Sequence, residues 1–336
     1  MKKEFLPGWL LMLAVGVLAM FLSKLIVLGG KNPIEAAVIA ILIGILIRNS
    51  GLLPDFFLPG IKAFEKILIL GIVLIGASLN FKNIGSQGGN MLIIILATMT
   101  ISFFVIYYLG KVFKLPLGLT VLLSVGTTIC GGSAIAVTAP LIKAKEEETS
   151  YAIGTIALWG FVAIILYPKI AQMFGVSDMD FGVFAGTAIH STPQVVGAGF
   201  IFSDIAGKTA TAVKLVRNCF MVPVAFLIAI WYAKTSLEGR KKEGAHVNVA
   251  KAFPWFLFGY FLLAGLNTQG YFSAEGVQAF NTAGKFLILL GLAGIGLNTV
   301  FSSFKKVGLK PLLIGFIGAL FVAGCSILMI RLLLSN

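Results

Sequence analysis

The chain has 336 residues, 58% hydrophobic and only 12% charged, against about 25% charged residues in ordinary soluble domains. That balance argues against a soluble protein and for a polytopic membrane protein. A net charge of +13 could suit nucleic acid, but the basic residues sit in short gaps between apolar runs, as in Arg240-Lys241-Lys242 and Lys305-Lys306, without a basic domain or aromatic RNA motif. Such placement fixes topology in a bilayer.

Apolar runs near the roughly 20 residues needed to cross hydrocarbon predict ten or eleven membrane helices, at 7–28, 33–48, 62–80, 90–113, 116–143, 147–172, 181–200, 205–233, 251–267, 276–299 and 310–334. The first follows Lys2-Lys3 without a clear small-x-small cleavage site, so it reads as an uncleaved helix. The second begins after Asn32, with Pro33 in its favoured first-turn place. The connection 234–251 carries Lys234, Arg240, Lys241, Lys242 and Lys251 and is assigned to the cytoplasm. Two crossings later, Lys305, Lys306 and Lys310 share that side, and the intervening "NTQGYFSAEG" has no Lys or Arg. If 181–200 spans, the N-terminus is cytoplasmic. If it is re-entrant, everything upstream of it inverts. Cys130, Cys219 and Cys325 lie in apolar surroundings without CxxC spacing, which argues against disulfides and zinc.

Two internal matches stand out. "ILILGIVLIGASLN" (67–80) resembles "FLILLGLAGIGLN" (286–298), and "GTTICGGSAIAV" (126–137) resembles "GTAIHSTPQVVG" (186–197). The two pairs have different offsets, so no simple head-to-tail duplication explains both. Repeats of this kind mark secondary transporters, whose sites lie where the halves meet, here approximately 1–175 and 176–336.

The second match holds the residues that could bind. Gly131 and Gly132 weaken a helix, by about 1 kcal/mol each against alanine, and Thr127, Thr128 and Ser133 bring hydroxyls to the same level. Irregular backbone at membrane depth must face protein or a water-filled cavity. A helix break there exposes N–H groups suited to an anion, although small residues also serve close helix packing. In "HSTPQ", His190, Ser191, Thr192 and Gln194 cluster about Pro193, with His190 either a proton carrier or a neutral hydrogen-bonding residue. Lys214 and Arg217 share a helix face. They either look into the bundle, where they would attract a dianion, or snorkel to the interface. Asn80 and Asn298 close the Leu-Asn pair and could cap a helix or coordinate a cation. No metal-ligating or hydrolase motif is present, so neither a resident metal nor a cofactor is expected, and the chain does not read as an enzyme.

At "TTICGGSAIAVTAPLIKAKEEETSYAIGTIALWGFVAIILYPKI" and "GTAIHSTPQVVGAG" the sequence resembles the YeiH-type sulfate exporter family, within the bile acid, arsenite and riboflavin transporter superfamily. The resemblance extends over essentially the whole chain. It implies an all-α polytopic fold with inverted repeats, two discontinuous crossing helices, and core and panel domains. It places Cys130 to Ala134 in one unwound crossing and part of 190–195 in its counterpart. The sequence departs from bile acid symporters, whose second break lies late and carries a Glu and a Gln-Asn pair. The late helix 276–299 here offers only Asn298, which points to a rearranged order of elements.

The expectation is a multi-pass transporter of the bacterial inner membrane that exports sulfate or a related sulfonate by alternating access. The substrate site would comprise Thr127, Thr128, Cys130, Gly131, Gly132, Ser133, Ala134, His190, Ser191, Thr192, Pro193, Gln194, Lys214 and Arg217. A proton or sodium ion would couple through His190, Asn80 and Asn298. The rival readings are a sodium-coupled organic anion importer and an anion channel. A homodimer is compatible with the sequence, which names no interface.

Overall fold

The computed structural model describes residues 3–25, 36–80, 88–235, 255–304 and 308–334. The start at Pro33, the basic stretch 236–251 and Lys305-Lys306 therefore lie outside the described residues. In chain order the helices are α1 (Leu6–Leu25), α2 (Ala36–Asn49), α3 (Leu58–Lys62), α4 (Phe64–Ile75), α5 (Gly88–Val112), α6 (Leu117–Thr128), α7 (Gly132–Leu141), α8 (Glu146–Met173), α9 (Asp178–Ala188), α10 (Thr192–Phe202), α11 (Asp204–Cys219), α12 (Met221–Thr235), α13 (Phe256–Thr268), α14 (Ala274–Asn298) and α15 (Leu309–Leu333). Among the described residues there is no strand. Six stretches are long and apolar enough to cross a bilayer: α1, α5, α8, the near-continuous α11–α12 over Asp204–Tyr232, α14 and α15. The protein is an all-helical, multi-pass membrane protein.

The chain forms two compact units, each assembled from two stretches: Met1–Gly85 with Trp255–Ser302, and Ser86–Pro254 with Ser303–Asn336. In the first, α14 is the spine and small residues let helices meet at backbone distance. A Cβ on Gly44 of α2 would come within 2.7 Å of the Leu297 amide nitrogen, and one on Gly71 of α4 within 2.8 Å of the Gly284 carbonyl. Gly291 abuts Leu68 and Gly294 abuts Phe64, so α4 and α14 run antiparallel. The two matching apolar segments, 67–80 and 286–298, thus pack directly on one another in opposite directions.

In the second unit α5 and α15 form an antiparallel pair. The Asn90 side chain donates to the Leu333 carbonyl at 2.8 Å, and Gly318 faces Ile106 further along. The Trp159 indole N–H donates to the Leu312 carbonyl at 2.8 Å, tying α8 to α15. At 28 residues, α8 is about 42 Å long, enough to cross the roughly 30 Å hydrocarbon core. By contrast α6, α7, α9 and α10 have 12, 10, 11 and 11 residues, about 15–18 Å each and half a crossing.

Candidate functional site: two chain reversals on a buried lysine and arginine

The interruptions fall where the glycine and proline clusters put them, and the chain reverses direction at each. Along α9, Gly182 meets Ala206 and Thr209 of α11, and Gly186 meets Ala210 and Val213; the two helices run the same way. Along α10 the order is inverted. Thr192 accepts a hydrogen bond from the Asn218 side chain at 3.0 Å, and Gly199 lies against Ala206, Gly207 and Ala210. The Phe181 and Phe202 rings, at the start of α9 and the end of α10, stack with centroids 4.2 Å apart. The segment 178–202 is therefore a hairpin of two half-length helices, the re-entrant alternative for 181–200.

Local chemistry fixes both of its ends. The Ser177 side chain accepts from the Asp180 amide, with Asp178 and Asp180 in the first turn of α9 where the helix dipole favours acids. Ser203 does the same for α11 by accepting from the Ala206 amide. Pro193 sits in the first turn of α10, where its missing N–H costs nothing.

The segment 117–141 repeats the design. Gly118 meets Glu148 and Gly126 meets Ile156, so α6 runs parallel to α8. Gly131, at the break, also meets Ile156. From there α7 returns toward residue 146, which starts α8. Gly131 has φ +68° and ψ −128°, a conformation that an L side chain resists, and a Cβ on it would lie 3.4 Å from the Ser191 side chain of the other tip.

The tips meet on two cations of α11. Lys214 donates to the carbonyls of Ile129 at 2.7 Å, Ile189 at 3.0 Å and His190. A lysine ammonium has three N–H donors, one for each of these acceptors. The Arg217 Nε donates to the Thr128 carbonyl at 2.7 Å, Nη2 to Thr127 at 2.9 Å and Nη1 to Thr187 at 2.7 Å, with Gly186 and Ile189 more distant. These carbonyls end α6 and α9 and lack intrahelical partners, so the cations stand in as C-caps for two helices at once. Lys214 and Arg217 are 0% and 1% exposed; they face the interior and do not snorkel. Among the described residues, no Asp or Glu is buried.

The remaining expected site residues divide. Thr127, Thr128, Cys130, Gly131, Ala134, His190 and Gln194 are buried at the tips, whereas Gly132, Ser191, Thr192 and Pro193 are half-buried and Ser133 is exposed. The Thr128 hydroxyl is spent on the Ser124 carbonyl at 2.6 Å, while the Thr127 hydroxyl and both His190 ring nitrogens have no hydrogen-bond partner among the described residues. Cys130 Sγ lies 3.2 Å from Met221 Sδ. Gln194 accepts from the Ser191 amide and donates to the Ala157 carbonyl, both at 3.3 Å. Asn80 and Asn298 belong to the first unit, at opposite ends of the antiparallel α4–α14 pair, and are not brought together. Sequence reasoning did not single out Gly160, where a Cβ would fall 1.9 Å from the Gln194 Oε1, or Asn218 as the partner of Thr192. The shared Gly-Thr of 126–127 and 186–187 was the signal that could have exposed the common hairpin design.

A family model described as "Conserved hypothetical protein 698" matches residues 7–315. Similar proteins include a "UPF0324 membrane protein" of Clostridium tetani, 34% identical over 97% of this chain and 96% of the relative. Others carrying that description are found in Bacillus cereus, at 34% over 95% and 89%, and in Streptococcus agalactiae, at 35% over 93% of both. The chain belongs to this conserved hypothetical protein 698 family, the UPF0324 membrane proteins.

Proposed function

We propose that the protein is a secondary transporter of a small anion, with the two hairpin tips as its substrate site. The observation that carries the reading is a charge imbalance. The C-terminal ends of α6 and α9 each present about −0.5 charge, roughly −1 in all, against two buried cations. About one positive charge is left over in a region without a buried carboxylate, and an anion is what would neutralise it.

The returning helices add to that field. Both α7 and α10 begin at the tips, so their first N–H groups point there without intrahelical partners. Gly132, Ser133, Ser191 and Thr192 are the accessible residues at this level; the Ser191 amide is taken by Gln194, and the remaining unpaired N–H groups at mid-membrane depth require a water-lined surface. Sulfate or a sulfonate, the substrate class implied by the sequence resemblance, has the charge and acceptor oxygens for such donors. A protonation change at His190 is the coupling step that its place on the second tip suggests; sodium is the alternative.

The arrangement also suits alternating access. Because α8 carries the chain across the bilayer between the hairpins, they enter from opposite faces. Lys111, Lys114, Lys143 and Lys145 lie at the mouth of the first, beside Glu146, Glu147 and Glu148, whereas Lys169 precedes Asp178, Asp180 and Asp204 at the mouth of the second; the excess of lysine at the first favours its opening to the cytoplasm by the positive-inside rule. The oppositely running match of 67–80 and 286–298 supports an inverted relation between parts of the chain.

Labelled sulfate flux in proteoliposomes tests the reading. Saturable transport that accumulates sulfate against its gradient when a proton or sodium gradient is imposed supports it, and sodium dependence would select the importer-like coupling. Non-saturating flux without accumulation would indicate a channel. Unchanged flux after replacing Gly132 and Ser133 by leucine would remove the tips from the substrate path.

A further inference from the structure

A cavity of about 650 Å³ opens between α5 and α12, and none of Gly132, Ser133, Ser191 and Thr192 is among its lining residues. Its walls are apolar, with Leu96, Met99, Phe103 and Leu227 among them, and it extends along α5 from Leu96 to Lys111. Fifteen residues of helix make this length about 22 Å, more than one leaflet of a hydrocarbon core roughly 30 Å thick. Such a slot matches an extended acyl chain better than a compact solute.

One end of the slot is polar. Lys111 closes it in the last turn of α5, with its ammonium 5.1 Å from the centre of the Tyr107 ring. Tyr107 in turn meets Trp231 edge-on at 5.3 Å. A Tyr, a Trp and a Lys at the end of a membrane helix form the pattern of a headgroup boundary, and no Asp or Glu lines the cavity. A second cavity, of about 680 Å³, lies near the C-terminal end of α15, and there Arg331 is accompanied by Asp180. Since α5 and α15 are antiparallel, Lys111 and Arg331 lie toward opposite membrane faces, and of these two cavities it is the α5 one that has a cation without an acid among its lining residues.

We propose that the α5–α12 cavity is a binding site for a membrane phospholipid with an anionic headgroup, one acyl chain filling the slot and the phosphate on Lys111. The inner end of the slot touches Thr128 and Phe220. Thr128 gives its carbonyl to Arg217, and Phe220 joins α11 to α12. The lipid therefore seats against the first hairpin tip and the helix that carries both cations, and its occupancy stabilises that junction.

The test uses the full-length protein in nanodiscs of phosphatidylcholine with and without phosphatidylglycerol. Retained lipid is counted by native mass spectrometry and stability is followed by thermal unfolding. The expected result is selective retention of one phosphatidylglycerol with a rise in melting temperature of several degrees. Lys111→Gln should reduce that selectivity at least fivefold, and Met99→Trp, which fills the slot, should abolish retention of either lipid while the fold persists. Equal retention of both lipids, or phosphatidylglycerol selectivity unchanged by Lys111→Gln, overturns the proposal. So does displacement by free fatty acid alone with no phospholipid retained. None of these readouts depends on anion transport, so the site and the transport reading fail separately.

Discussion

Replacing Arg217 by methionine keeps most of the side-chain volume and removes the guanidinium that joins the two tips. Three carbonyls, of Thr127, Thr128 and Thr187, lose donors at 2.9, 2.7 and 2.7 Å. A hydrogen bond to a charged group contributes about 1.5–3 kcal/mol, so the three sum to roughly 4.5–9 kcal/mol. Removing the buried cation returns several kcal/mol of desolvation cost, which leaves a net destabilisation of about 3–5 kcal/mol. At about 2–4 °C per kcal/mol for a unit of this size, the second unit should melt some 6–20 °C lower. Thermal unfolding in detergent, followed by fluorescence-detected size-exclusion chromatography, reads this directly. Arg217→Lys restores the charge without the planar fork and should recover less than half of the loss. A melting temperature of Arg217→Met within 2 °C of the parent would refute the idea that this side chain holds the tips together.

The hairpin geometry makes further claims. Cysteines replacing Phe181 and Phe202 should be joined by a short bifunctional maleimide, because the native rings are 4.2 Å apart; a straight helix would separate these positions by about 31 Å, and no crosslink would form. Gly160→Ala should destabilise by about 1–3 kcal/mol through overpacking against Gln194. Adding Gln194→Ala should recover part of that loss, and strict additivity in the double-mutant cycle would refute the contact. Gly131→Ala should cost about 1–2 kcal/mol from its left-handed φ in thermal unfolding, whereas Gly132→Ala, with no atom within 4 Å of the added Cβ, should cost less.

Much of this was legible in the sequence because lipid penalises polar backbone so heavily. Gly131, Gly132, Pro193 and the hydroxyls around them could only be tolerated at a break, and the breaks fall there. Chain direction was harder to read. Periodicity and hydropathy score 116–143 and 181–200 as membrane-length segments, and nothing local distinguishes a kinked crossing from a reversal. The contacts of Gly182, Gly186 and Gly199 with α11 decide it. The role of Lys214 and Arg217 was also open, since i, i+3 spacing says that they share a face but not which one. Their seclusion follows from two helix ends converging on one helix, a tertiary fact. Asn80 and Asn298 looked alike because each ends a Leu-Asn motif, yet antiparallel packing of α4 and α14 sends them to opposite ends.

The central claim is that the tips attract an anion. Its most direct test is thermal stabilisation of the purified protein across sodium and choline salts of sulfate, methanesulfonate, acetate and chloride, with Ser133→Leu as the site variant. The account predicts saturable stabilisation by sulfate or a sulfonate in both cation backgrounds, lost in Ser133→Leu while the unliganded melting temperature is retained. Stabilisation that follows the cation alone, or that persists undiminished in Ser133→Leu, would contradict it.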